Sequence, residues 1–113
     1  MSSLGQLTKN RRIHLRRRPK GCAKSACRRG SIDLGPNLAV RVLDVAEGGI
    51  RLVVRENIDR EQEVTLTLEG LQHSRPLRIF GRVIWCVSTA TNEHCIGIQF
   101  DKRLPYIDLQ RLA

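Results

Sequence analysis

Aromatic side chains are scarce in this 113-residue chain: Phe, Trp and Tyr together make up 4% of it. Proteins that read single-stranded nucleic acid use such rings to stack bases, so the shortage weighs against that class. Apolar runs are short too, a few residues against the roughly 20 needed to span a bilayer, and no membrane insertion is expected. The opening residues MSSLGQLTKNRR carry no apolar stretch followed by a small-residue cleavage site. No secretory leader is therefore expected, and the protein is expected in the cytoplasm. The four cysteines, Cys22, Cys27, Cys86 and Cys95, contain no C-x2-C pair. In a reducing compartment they are expected as free thiols in strands, with no metal and no disulfide. There are only three histidines, and no P-loop, paired-carboxylate or Ser/Cys–His pattern is visible, so neither catalysis nor a cofactor is expected.

Acid is absent from the first 32 residues, and this makes the charge lopsided. Ten of the twenty Lys and Arg lie in residues 1–31, and the first acid is Asp33. The net charge of +9 therefore belongs to the N-terminal segment, while the rest is nearly neutral. The densest part is NRRIHLRRRPK, residues 10–20. Such a run predicts an anionic partner: nucleic acid, phospholipid or a phosphorylated small molecule.

Beyond it the pattern is short segments of alternating hydrophobicity, the period of a strand. GCAKSACRR (21–29) reads as a first strand. LAVRVLDV (38–45) places Leu38, Val40 and Val42 on one face, and IRLVV (50–54) groups Ile50, Leu52 and Val54. EVTLTL (63–68) puts Val64, Leu66 and Leu68 inside, with Thr65 and Thr67 outside. PLRIFGRVIWCV (76–87) and HCIGIQF (94–100) form a hairpin whose turn is centred between Ala90 and Thr91. That register sets Gly81 opposite Phe100, Val83 opposite Ile98, Trp85 opposite Ile96 and Cys86 opposite Cys95. Trp85, alternating with Val83 and Val87, reads as core. RENIDREQ (55–62) is a loop, and LPYIDLQRLA ends in a short helix starting near Pro105. The fold class is all-β: a small six-stranded antiparallel barrel over residues 20–113, preceded by a flexible basic arm over 1–19.

DVAEGG, residues 44–49, interrupts two strands. Consecutive glycines there permit positive φ and close approach of a ligand, while Asp44 has the plainer use of closing an Asx-type turn. Its company points further. RIHLR (12–16) is an R-x-x-x-R segment, Asp44, Ala46 and Gly49 form D-x-A-x-x-G, and GRVIW with GIQF closes the set. In that order, over roughly residues 10–104, the chain resembles the PilZ domain family, with its R-x-x-x-R segment and [DN]-x-S-x-x-G motif.

The resemblance implies a receptor for cyclic di-GMP that acts through a downstream protein. The family's arginine pair maps onto Arg12 and Arg16, and its second motif onto Asp44, Ala46 and Gly49. Ala46 stands where serine is usual; one neutral hydrogen bond is worth about 0.5–1.5 kcal/mol, so roughly tenfold in affinity is at stake. The chemistry agrees with the family. An arginine fork meets phosphate oxygens or guanine O6 and N7, and its plane stacks on a base. A carboxylate such as Asp44 accepts from guanine N1–H and N2–H. Gly48 and Gly49 admit a ligand against the backbone, Arg51 is within reach of the same turn, and Arg11 is placed to stack on a second, intercalated ligand. His14, Arg17 and Arg18 read as exposed linker and solvated charge. Two other readings stay open: a PilZ-like adaptor without ligand, and a basic nucleic-acid-binding module, which is not expected for want of aromatic rings and of any helix-turn-helix or RNA-recognition pattern.

Overall fold

A computed structural model describes residues 22–32, 34–70 and 76–112. It contains six strands and one helix in chain order: β1 (Cys22–Arg29), β2 (Ala39–Val45), β3 (Gly49–Val54), β4 (Glu63–Gly70), β5 (Leu77–Ser88), β6 (His94–Phe100) and α1 (Tyr106–Leu112). The strands form one antiparallel sheet in the order β1-β4-β5-β6-β3-β2. Its two edge strands, β1 and β2, curl round to meet. Leu38 N–H donates to Cys27 O at 2.8 Å. The Asn37 side chain accepts from both Cys27 N–H and Ala39 N–H at 2.9 Å each, and its Nδ2 donates to Ser25 O at 3.2 Å. The result is the expected six-stranded, nearly closed barrel. The boundary drawn at residue 20 between arm and barrel lies outside the described residues.

Alternation explains the interior. Val64, Leu66 and Leu68 of β4 and Ile50, Leu52 and Val54 of β3 are buried together with Val83, Ile96 and Ile98. Ile58 from the β3–β4 loop, with Leu104 and Leu109 from the C-terminal segment, completes this cluster. The helix starts where expected: Pro105 O accepts from Leu109 N–H at 3.0 Å, and Leu109 is the apolar residue that anchors it. Thr67 is half-buried, but Thr65, expected outside, is fully covered because its hydroxyl donates to Gly30 O at 2.8 Å.

Two further expectations fail, both because of bulges. In β2 the register shifts between Ala39 and Arg41 and again between Val42 and Asp44. Each shift sets two residues against one and resets the alternation. Leu38 is buried while Val40 is exposed, and Asp44 and Val45 are both buried. In the β5–β6 hairpin, Gly81 does face Phe100 and Val83 faces Ile98, but a bulge follows. Beyond it Trp85 lies opposite Gly97, Cys86 opposite Ile96 and Val87 opposite Cys95. The turn absorbs the extra residue: Thr89 N–H donates to Glu93 O at 2.8 Å, and Asn92 takes the left-handed conformation with φ 67°. Cys86 therefore packs against the core and is not the partner of Cys95; Cys27, Cys86 and Cys95 are free thiols.

Candidate functional site

The turn between β2 and β3 closes with Ala46 N–H donating to Gly49 O at 2.9 Å. It is then fastened to the chain that follows β6. Phe100 N–H donates to Gly48 O at 3.0 Å and Leu104 N–H to Glu47 O at 2.7 Å. The Glu47 carboxylate also pairs with Arg103 at 3.3 Å. Positive φ is not what the glycines supply: among the described glycines it occurs only at Gly30 and Gly35. Gly49 is needed for close approach instead. A Cβ there would stand 2.5 Å from Ile98 O, a backbone atom of the adjoining strand that cannot step aside.

Asp44 sits on β2 just before this turn and is 7% exposed. A carboxylate so covered needs partners, and Arg51, its cross-strand neighbour on β3, provides them. Arg51 Nε donates to Asp44 Oδ2 at 2.7 Å, and Nη2 donates to the same oxygen. That hydrogen bonding, with the carboxylate charge behind it, holds the Arg51 guanidinium above its already high ordinary pKa. Asp44 is thus engaged across strands by Arg51. The guanidinium remains half open to solvent, so the pair presents a fixed carboxylate beside an accessible cation.

The sheet extends this pair into a line. Asp44 on β2, Arg51 on β3, Gly97 on β6 and Trp85 on β5 are successive cross-strand partners. All four stand on the outer face, because Leu52, Ile96 and Ile98 between them point inward. Trp85 is consequently not core as the simple alternation had it; it is half-buried and outside the core cluster. Its indole lies over Gly97, where a Cβ would overlap the ring atoms Cε2, Nε1 and Cζ2. The neighbouring line carries Arg41, Val53, Cys95 and Val87. Burial pushes the Cys95 thiol above its ordinary pKa, while the Arg51 charge pulls the other way.

A sequence profile for the PilZ domain matches residues 10–113. This chain belongs to the PilZ domain family. Among solved structures the PilZ barrel is similar to one described as the structure of the K. pneumonia MrkH–c-di-GMP complex. The TM-score is 0.58 at 20% identity, over 89% of this chain and 48% of the other. At that identity the likeness is one of fold, and this chain spans about half the length of the MrkH chain. A search of curated proteins found no match.

Of the residues expected at the site, the PilZ barrel brings Asp44, Ala46, Gly48, Gly49 and Arg51 together at one turn. Arg11, Arg12 and Arg16 fall outside the described residues. Ala46, at the position where the family usually has serine, is 2% exposed. Trp85 and Gly97 were missed as members of this face. The bulge after Val83 moves them there, and the signal for it is an aromatic residue and a strand glycine that could pair across a hairpin. No described helix of the PilZ domain is long and apolar enough to cross a membrane.

Proposed function

We propose that this PilZ domain binds cyclic di-GMP at the DVAEGG turn and acts as a non-enzymatic receptor that signals to a protein partner. The observation that carries the reading is the Asp44–Arg51 pair at the glycine turn, in a chain that matches the PilZ profile through both motif regions. The complex of the structurally similar MrkH with c-di-GMP supports the choice of ligand. Asp44 offers a carboxylate already oriented by Arg51, so little ordering cost remains when guanine N1–H and N2–H approach. Arg12 and Arg16 supply planar forks for the phosphates and for guanine O6 and N7, and Arg51 adds a third guanidinium. Arg11 extends the set to a stacked pair of ligands. Neutralising the arginine segment with ligand is the switch that a partner reads.

Calorimetric titration of cyclic di-GMP at about 0.15 M salt, a physiological ionic strength, tests the reading. Binding of two ligands per chain supports the stacked pair with Arg11, and one ligand per chain removes Arg11 from the site. Asp44→Ala is expected to abolish measurable binding while leaving any nonspecific affinity for DNA in place. Absence of heat with the unmodified protein would overturn the receptor and favour a ligand-free adaptor, for which the alanine at position 46 is the motivating departure.

A further inference from the structure

We infer that the loop joining β1 to β2 is a surface through which two copies of this chain associate, at the end of the barrel away from the DVAEGG turn. The inference does not depend on the receptor reading. Connections between the antiparallel strands alternate between two ends of the barrel. Cys22, the β2–β3 turn and α1 lie at one end, and the connections 30–38, 55–62 and 89–93 lie at the other. At this second end Ile32 and Leu34 are 73% and 68% exposed, the most open large apolar side chains among the described residues. Their loop is held at both ends. Gly30 N–H donates to Glu63 O at 2.8 Å, and Gly30 O accepts from the Thr65 hydroxyl at 2.8 Å. Arg28 Nε donates to Gly35 O at 3.1 Å, and the Asn37 side chain pins the return to β1. Gly30 and Gly35 take φ of 85° and 100°, left-handed bends that glycine adopts without strain. A tip whose anchors are already ordered loses little freedom on contact, which favours association.

The charge around the tip points to its occupant. Arg29 pairs with Glu56 at 3.1 Å, Arg82 with Glu61 at 3.9 Å and Arg60 with Glu61 at 4.0 Å, and Glu63 faces Arg82 across strands. All the paired side chains are open to solvent, so their charges are available to a second molecule. A rim of one sign selects a partner of the other sign. A rim that mixes both in balance complements its own copy, because a two-fold axis can set cations over anions while the apolar tips meet at the centre. Apolar contact ringed by charge is the usual anatomy of a protein interface. An anionic lipid surface finds no net attraction at such a rim. The strongly basic residues 10–20 join the barrel at Cys22, the opposite end, so two copies meet through their balanced ends. The end of a small barrel offers less area than permanent pairs bury, so a reversible dimer is expected, with both DVAEGG turns away from the contact.

The test is sedimentation velocity of the full chain from low to high micromolar concentration, at about 0.15 M salt. The sedimentation coefficient is expected to climb with concentration from that of a monomer to that of a dimer. Ile32→Ser combined with Leu34→Ser is expected to weaken the dimer roughly tenfold or more, the scale of a lost interface anchor. Both side chains are exposed, so the barrel is expected to persist, and circular dichroism checks that it does. Should the double variant not fold, amide exchange of the unmodified protein carries the decision, with slower exchange over residues 30–38 expected as concentration rises. A monomer at every concentration overturns the proposal, and so does a dimer that the double substitution leaves equally tight. Adsorption to phosphatidylglycerol vesicles that depends on Ile32 and Leu34, without a dimer, gives the tip to a lipid surface and overturns it as well.

Discussion

Cys27 shows how completely a single side chain is governed by its surroundings. It lies on β1 at 0% exposure, and burial pushes its thiol from 9.0 up to about 12 despite the opposing pull of Arg29 and Arg28. A thiol held so far above neutrality is inert as a nucleophile. A raised folded pKa also makes stability depend on alkali. The folded chain keeps its proton where the unfolded one has lost it, so this contribution is whole below pH 9 and drains away as pH climbs from 9 towards 12. The slope approaches about 1.4 kcal/mol per pH unit for one group. Urea unfolding under reducing conditions between pH 7 and 10.5 is expected to show a decline above pH 9 that is shallower in Cys27→Ala. Equal slopes in the two proteins would refute this account. Residue identity was also the easiest thing to read at the site. Asp44 and the glycines stood out by type and spacing, but the cross-strand grip of Arg51 on Asp44 depends on register and is invisible until β2 and β3 are paired.

Among the elements, the seam between β1 and β2 is the joint that turns a sheet into a barrel. One direct backbone bond, Leu38 N–H to Cys27 O, and the three hydrogen bonds of Asn37 hold it. Asn37→Ala strands two partly buried backbone donors at once, those of Cys27 and Ala39. The expected cost is about 1–3 kcal/mol for each buried group left unsatisfied, measured by chemical denaturation. Amide exchange should rise first along β1 and β2, and a variant with unchanged protection there would show that the seam is held by other means. Six strands and a terminal helix were legible because the apolar residues of β4 and most of those in β3, β5 and β6 alternate. The seam was not, since an asparagine in a connecting loop carries no such period. The bulges of β2 and β5 were equally hidden: one extra residue leaves composition unchanged yet moves every later side chain to the other face. That is why Val40 was grouped with Leu38 on one face, Trp85 was assigned to the core, and the thiols of Cys86 and Cys95 were set opposite one another.

At the scale of the whole molecule, a ligand that recognises only the folded barrel must stabilise it by mass action. Cyclic di-GMP at 100 times its dissociation constant is expected to add about 2.7 kcal/mol for a single site. For a domain of this size that corresponds to a rise in Tm of roughly 10 °C or more, read by differential scanning calorimetry, and Asp44→Ala should abolish the rise. An unmoved Tm at saturating ligand would contradict the receptor. The order β1-β4-β5-β6-β3-β2 adds something about manufacture. Asp44 and Arg51 are made early and Trp85 later, yet they share one surface only after the last strand, bearing Gly97, has slid between β3 and β5. A chain still emerging from the ribosome has those side chains without the strand that joins them. That face is therefore complete only once the barrel is finished, and a receptor of the kind proposed would answer its ligand only then.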